Sequence, residues 1–265
     1  MADKAFLCGL NPYPGCPLEG CEDDVLDASR FVVDFCGFDP KIIRLLTGLR
    51  GTTAAILERL DWLVSDLTAG DRILFWYSGH GASVATRDPA GSVDGLDSCI
   101  CPIDFDWSDE HMIRDKDLHR IFSQIPEGVQ AIFVSDSCHS GSLTRDADGL
   151  GGRREKCIRP PADIAWRLEA AQRSGMVLGP RDFPNIALIS GCREDQTSAD
   201  ANFGGRPNGA LSYFLLQELA KPNGTTTPLN VLVPKVILDL QQNSYEQVPQ
   251  LEGPDPLVTG TFFHK

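Results

Sequence analysis

The chain has 265 residues, 42% hydrophobic and 23% charged, a balance typical of a globular protein with one large domain. Its 37 acidic and 24 basic residues give a net charge of -13, which argues against nucleic acid and against an anionic membrane surface as partners. No stretch approaches the ~18 apolar residues that span a bilayer, and the N-terminal apolar run is too short for a signal peptide. Nine cysteines, an odd count, favour reduced thiols, so we expect a cytoplasmic location.

Short apolar runs alternate with longer amphipathic segments along the chain. Six runs are predicted to be strands, at 4–10, 41–46, 72–77, 130–135, 186–190 and 257–263. Several are almost continuously apolar, which is typical of strands covered on both faces. Apolar residues at helical spacing predict helices at 21–35, 52–67, 115–123, 164–173, 209–219 and 229–241. The alternation of strands and helices predicts an α/β domain with a mainly parallel sheet.

Residues 143–184 differ in composition from the segments on either side. They contain several glycines, two adjacent prolines and a cluster of basic residues. This composition predicts a long, exposed and mobile insertion with one short helix near Trp166. We therefore divide the single domain into a part at 1–142, a flexible basic insertion at 143–184, and a part at 185–265.

A thiol and an imidazole follow two of the apolar strands. His80 comes after the run ILFWYSG, and Cys138 comes after the run AIFVSDS, 58 residues further on. Because ligands bind at the carboxyl ends of strands in an open parallel sheet, we expect both side chains at the same edge. Either residue alone could simply fill space, but the pair is what nucleophilic thiol catalysis needs.

The chemistry of such a pair assigns a role to each residue. His80 would take the proton of the Cys138 thiol, because the thiolate is the nucleophile. Backbone N–H groups near Gly81 and Cys138 would hold the oxyanion of an acyl intermediate. On the pair alone, the sequence predicts a thiol hydrolase or acyltransferase of undefined substrate.

Several motifs make the sequence resemble the metacaspases, a family within the caspase-like cysteine peptidases. YSGHG and DSCHSGS look like the two catalytic motifs of that family, and GLNPYPGCPLEGCEDDV resembles its N-terminal segment. ISGCREDQTSADA and PQLEG resemble segments near its C-terminal end. True caspases carry their nucleophile in Q-A-C-[RQG]-G, unlike the Asp-Ser-Cys-His-Ser-Gly of this chain. The resemblance implies a caspase-like three-layer sandwich with about six strands and helices on both faces, and a monomer.

The resemblance also implies how the substrate is selected. In metacaspases two aspartates line the S1 pocket, and they match Asp24 and Asp136 here, with Cys21 and Ser78 as neighbours. A buried pair of carboxylates is costly without a cation, so the pocket should select an Arg or Lys side chain at P1. The expected activity is therefore that of a cysteine endopeptidase that cuts proteins or peptides after basic residues.

Calcium activation is a further implication of the resemblance, although the chemistry itself requires no cofactor. The aspartates that match the family's calcium ligands are Asp97, Asp115, Asp117 and Asp146. The family usually has consecutive acids where this chain has a lysine, Lys116, between two of them. Solvated surface acids are the competing interpretation.

Self-cleavage is the last expectation, because caspase-like enzymes often cut themselves between the nucleophile and the C-terminal part. Five basic residues of the insertion are candidates: Arg145, Arg153, Arg154, Lys156 and Arg159. A merely flexible loop is the alternative.

Three other functions stay open at the level of sequence. The chain could be a catalytically weak caspase-like signalling scaffold, although it keeps both the Cys and the His. It could be a caspase-like protease of different P1 specificity, but cleavage after Asp would need a basic pocket. A thiol acyltransferase could use the same pair of residues, because the pair does not name its acyl donor.

Overall fold

A computed structural model describes residues 3–86, 96–138, 153–172, 183–193 and 196–264. In these ranges the strands are β1 (Asp3–Gly9), β2 (Ile43–Thr47), β3 (Arg72–Ser78), β4 (Gly81–Ala85), β5 (Leu96–Ile100), β6 (Ile113–Arg114), β7 (Gln130–Asp136), β8 (Arg154–Glu155), β9 (Ala187–Ser190), β10 (Ala199–Phe203), β11 (Arg206–Gly209) and β12 (Gln250–Glu252). The α-helices are α1 (Cys21–Asp34), α2 (Thr53–Val64), α3 (Asp115–Phe122), α4 (Ala162–Gln172), α5 (Ala210–Ala220), α6 (Leu229–Gln242) and α7 (Asp255–Val258).

The central feature is a six-stranded sheet in the order β12-β9-β7-β3-β1-β2. Adjacent strands of this sheet are parallel, except that β12 runs antiparallel to β9. Two small three-stranded sheets, β4-β5-β6 and β11-β10-β8, complete the strands of the described part. The predicted mainly parallel sheet of about six strands is therefore confirmed.

Hydrophobic cores lie on both faces of this sheet and make a three-layer sandwich. On one face the sheet packs against α2 and α3 through buried side chains such as Ile56, Leu60 and Phe122. On the other face it packs against α1, α5 and α6, with Val25 and Leu215 among the buried residues. The strands between them are nearly continuously apolar because both of their faces are covered. None of the described helices is long and apolar enough to cross a membrane.

The prediction of a last strand at 257–263 is wrong. Residues 257 and 258 end the short helix α7, Thr261 makes only an isolated bridge with Pro228, and the sixth strand of the sheet is β12 instead. Prolines lie next to α7 and within its first turn. Proline is favoured there because it lacks an N–H, and the N–H groups of the first turn have no partner within a helix. The apolar pattern came from Phe262 and Phe263, which are fully buried but lie against the rings of Phe31 and Phe38.

The basic insertion is only partly what its composition predicts. Its helix α4 covers the expected position, and Trp166 on it is exposed. However, the segment just before the helix is partly buried, because β8 pairs with β10 and Lys156 is fully buried. This segment runs across the carboxyl ends of the central strands.

Candidate active site

The predicted base and nucleophile emerge from neighbouring parallel strands. Ser78, the last residue of β3, pairs with Asp136, the last residue of β7. His80 and Cys138 each follow two residues later, so the two leave the sheet side by side. The structure therefore places them at the same edge, as the sequence analysis expects.

His80 is held so that its ring presents one nitrogen as a base. Its Nε2 lies 2.7 Å from the carbonyl oxygen of Cys16. Because a carbonyl can only accept, Nε2 carries the proton and Nδ1 keeps a lone pair. Burial lowers the pKa of His80 to about 4, and the nearby ammonium of Lys156 adds to this effect. The imidazole is therefore neutral at physiological pH, as a general base must be.

Two tyrosines fix the backbone around this histidine. Tyr13 accepts a hydrogen bond from the His80 N–H at 3.2 Å, and Tyr77 donates to the His80 carbonyl at 2.7 Å. Gly79 makes this arrangement possible, because a Cβ there would lie 2.6 Å from both hydroxyl oxygens. Sequence analysis did not identify the tyrosines: Tyr77 lies in an apolar run, where an aromatic residue is typical of core, and no local pattern relates Tyr13 to His80.

Cys138 is fully buried in this state of the protein. Its Sγ donates to the carbonyl of Ser198 at 3.4 Å and accepts from the N–H of the same residue. Burial raises its pKa well above the usual value, and the Cys192 side chain and Asp136 raise it further. The nucleophile is therefore a protonated thiol here.

The predicted pocket residues form one buried cluster beside the nucleophile. Asp24, in the first turn of α1, accepts from the Ser78 hydroxyl at 2.7 Å. Asp136 accepts from the Ser198 hydroxyl at 2.7 Å. Cys21 lies one turn before Asp24 and interacts with Ser78. Both carboxylates have no exposed surface.

Lys156 of the insertion occupies this acidic cluster. Its Nζ lies 3.2 Å from a carboxylate oxygen of Asp24, 3.2 Å from one of Asp136 and 2.8 Å from the Ser78 hydroxyl. Burial alone would lower the pKa of Lys156, but Asp136, Cys21 and Asp24 together outweigh it and raise the pKa well above normal. The ammonium is therefore charged, and it balances the buried carboxylates.

The carbonyl of Lys156 is held by the two predicted oxyanion donors. Its oxygen accepts from the Gly81 N–H at 3.0 Å and from the Cys138 N–H at 3.1 Å. The Lys156 N–H donates to the carbonyl of Ser198 at 3.1 Å, which continues the pairing of β8 with β10. The Ile158 N–H donates to the carbonyl of Gly81 at 3.0 Å. Residues 154–158 therefore cross the site as an extended strand, with the peptide bond between Lys156 and Cys157 next to His80 and Cys138.

Two further residues shape the pocket and were not found from the sequence. Asp200 is a third buried carboxylate near Lys156, and it accepts from the N–H groups of Glu19 and Gly20 at 2.7 and 2.9 Å. At Gly209 a Cβ would lie 2.1 Å from the Lys156 Nζ and 2.2 Å from an Asp136 oxygen. Only glycine leaves room there for a basic side chain.

The other candidates for self-cleavage lie away from the acidic cluster. Arg153 donates to the carbonyl of Ser244 and stacks on Tyr245. Arg154 pairs with Glu19, and Arg159 lies 3.7 Å from Glu155. Arg145 lies outside the described residues.

The predicted calcium ligands do not fit a metal site in the described part of the chain. Asp97 is 2.9 Å from the ammonium of Lys116, while Asp115 and Asp117 accept from the backbone N–H groups of Ser98 and Arg114. Among the described residues no three metal-binding side chains come together as a possible site. Asp146 lies outside these residues.

Comparison with known proteins shows the family to which the chain belongs. The family described as "Metacaspase, peptidase C14 domain" matches residues 3–146. Metacaspase-1 of Schizosaccharomyces pombe is 30% identical over 96% of this chain and 68% of its own length, and Metacaspase-1 of Scheffersomyces stipitis is 31% identical over 96% and 71%.

Two solved structures share the architecture. A Geobacter sulfurreducens protein aligns with a TM-score of 0.71 at 25% identity, covering 98% of this chain and 97% of its own. Caspase-1 from Spodoptera frugiperda aligns with a TM-score of 0.57 at 12% identity, covering 95% and 86%. The fold is thus that of the caspase-like peptidases. Within that class, the chain belongs to the metacaspase family of cysteine peptidases.

Proposed function

We propose that this peptidase cleaves proteins and peptides after Lys or Arg, with Cys138 as nucleophile and His80 as base. One observation carries the proposal: a lysine of the chain itself sits in the acidic cluster while its carbonyl accepts from the amides of Gly81 and Cys138. This is the position that a P1 residue and its scissile carbonyl would take in a substrate. The pairing of β8 with β10 would likewise bind a substrate as an added strand.

The reaction follows from these positions. His80 takes the thiol proton on Nδ1, and the sulfur of Cys138 bonds to the P1 carbonyl carbon. The two amides hold the oxyanion until the C–N bond breaks and His80 returns the proton to the leaving amine. Water then attacks the thioester, giving up a proton to His80, and the sulfur leaves as the thiol with that proton.

Self-processing is the first expected result, and it should occur after Lys156. Purified wild type should yield fragments 1–156 and 157–265, with Cys157 as the new N-terminus in sequencing of the second fragment. Cys138→Ala should stay intact. Lys156→Arg should still be cut at the same bond, because a guanidinium suits paired carboxylates.

Neighbouring basic residues provide matched controls for this site. Arg153→Ala and Arg154→Ala should leave cleavage after Lys156 in place, since their side chains lie outside the acidic cluster. Lys156→Ala should stop it. A first cut after Arg153, Arg154 or Arg159 in wild type would contradict the assignment.

The pH dependence of turnover should reflect Asp24. Burial raises the pKa of Asp24 to about 6, although the Lys156 ammonium lowers it. When Lys156 leaves the pocket, the loss of its charge and the entry of water act on this pKa in opposite directions, so we expect Asp24 to protonate as the pH falls through about 6. Because the protonated form attracts a basic P1 residue less, kcat/KM for a Lys substrate should fall there on acidification.

Asp24→Asn identifies the source of this acidic limb. The variant should lose the limb near pH 6 and keep any limb that comes from His80, which is protonated only below about pH 4 in the resting state. An unchanged profile of kcat/KM against pH would rule out Asp24 as the titrating group.

The contacts around Asp97 favour an enzyme that works without calcium. Lys116 places a fixed positive charge against Asp97, where the resemblance would put a divalent cation. Turnover of a Lys substrate by wild type should therefore be the same in calcium and in excess chelator. A saturable rise with calcium would instead support an activating site that includes residues outside the described ranges.

A further inference from the structure

We propose that Cys192 forms a reversible disulfide with Cys138, so that mild oxidation switches the peptidase off and protects its nucleophile. The proposal rests on the proposed role of Cys138, but the disulfide itself can be observed without any activity.

Strand pairing brings the two cysteines together. β7 and β9 are adjacent and parallel, with Ser135 opposite Ser190, and the Gly191 N–H donates to the carbonyl of Ser135 at 2.9 Å. Two residues beyond each partner, Cys192 comes opposite Ser137, the neighbour of Cys138. Adjacent strands lie about 4.8 Å apart and successive residues rise about 3.3 Å along a strand, so the diagonal pair Cys138 and Cys192 should have Cα atoms about 6 Å apart, within the range of about 4.4–6.8 Å that a disulfide needs. The backbone therefore supplies the separation that a disulfide requires.

The thiols also share the same short partner segment. The Sγ of Cys138 is bonded to Ser198, and the Sγ of Cys192 donates to the carbonyl of Gln196 at 3.3 Å. Burial raises the pKa of Cys138, and a side-chain hydrogen bond with Cys192 raises it further, so the two thiols lie within hydrogen-bond reach. Both are free thiols in this structure. Rotation of the side chains, rather than a change of fold, would bring the sulfurs together.

Access to oxidant should depend on the strand formed by residues 154–158. Cys138 is fully buried and its N–H donates to the carbonyl of Lys156, while Cys192 is partly exposed. When cleavage releases Lys156 from the pocket, the nucleophile becomes open to substrate and oxidant alike. The disulfide would then form fastest in the processed enzyme.

The chemistry balances with a peroxide as the oxidant. The Cys138 thiolate attacks one oxygen of hydrogen peroxide, the O–O bond breaks, and sulfenic acid and hydroxide result. The Cys192 thiol then attacks the sulfenic sulfur, which forms the S–S bond and releases water. A dithiol reductant takes the disulfide back to two thiols. Without Cys192, further peroxide carries Cys138 to the sulfinic acid, which such reductants do not reverse.

A second thiol near the nucleophile makes the prediction specific. Burial raises the pKa of Cys157, and so does the proximity of Cys138. Cys157 is the residue after Lys156, however, so it belongs to the leaving side of the proposed cut. Its variant, Cys157→Ser, is the matched control for Cys192→Ser.

The test is peroxide treatment of the full chain, before and after self-processing, followed by non-reducing peptide mapping and by activity assays with and without dithiothreitol. We expect a linked peptide pair containing Cys138 and Cys192 in wild type and in Cys157→Ser, more rapidly after processing, and a loss of turnover that dithiothreitol reverses. Cys192→Ser should show Cys138 sulfinic acid and a loss that dithiothreitol does not reverse.

Two results would overturn the inference: linkage of Cys138 to Cys157, or no linkage of Cys138 to Cys192 in either form of the chain. If the linked pair forms in a chain that turns over no peptide, the proposed function fails and the disulfide stands. If peptide turnover is normal and the linked pair does not form, the disulfide proposal fails and the proposed function stands.

Discussion

Replacing His80 or Cys138 with alanine should lower kcat/KM for a Lys substrate by about 10⁴-fold or more, as is typical when one member of a nucleophile–base pair is removed. Cys138 lies beside the Lys156 carbonyl, to which its own N–H donates at 3.1 Å. The imidazole provides the neutral base. Steady-state turnover of a fluorogenic peptide measures the effect.

His119→Ala is the matched control for the histidine. His119 is exposed on α3, where its Nδ1 lies 3.4 Å from the Ser123 hydroxyl, so this variant should keep wild-type turnover. Thermal melting should show that all three variants fold. Turnover within tenfold of wild type in His80→Ala would contradict its role as base.

Asp24→Asn should produce the second large effect, a loss of preference for a basic P1 residue. Truncating one partner of a buried, hydrogen-bonded charge pair costs about 2–5 kcal/mol, or roughly 30- to 5,000-fold in kcat/KM. The loss should fall on Lys and Arg substrates, and turnover of a Gln substrate should change much less. The ratio of kcat/KM values for Lys and Gln peptides measures it.

The neighbouring aspartate supplies a matched control on the same helix. Asp23 is partly exposed and pairs with Arg206 at 3.0 Å, away from the pocket. Asp23→Asn should therefore leave the Lys to Gln ratio unchanged. Equal effects of the two substitutions would indicate that net charge, rather than the pocket, selects the substrate.

The sequence predicted five of the six strands of the central sheet and the residues at its edge. The apolar runs of β3 and β7 mark strands buried on both faces, and His80 and Cys138 follow them at equal distances. Equal spacing after adjacent parallel strands brings the side chains to one place, so the pattern carries spatial information. The resemblance to a known family then supplied Asp24 and Asp136, which no periodicity could have related.

Other parts depend on tertiary contacts that no local pattern contains. Lys156 lies in a stretch whose glycines and charges predict an exposed loop, yet pairing with β10 and three buried carboxylates place it in the interior. Gly209 begins the predicted helix at 209–219, but the need for its missing Cβ comes from side chains distant in sequence, which that prediction does not contain. The segment that contains Phe262 and Phe263 predicts a strand, because residues buried against other elements give the same apolar pattern as residues of a buried strand.

The central claim is that the acidic pocket selects a basic P1 residue, and a peptide set that differs only at P1 tests it most directly. Processed wild type, in which Lys156 no longer covers the pocket, should be assayed with P1 Arg, Lys, Gln, Asn and Asp, beside Cys138→Ala. We expect kcat/KM for Arg and Lys to exceed that for the other three by at least about 30-fold, the lower end expected for a buried charge pair, and no turnover by the variant. Preferential turnover of the Asp peptide, or equal turnover of all five, would contradict the account.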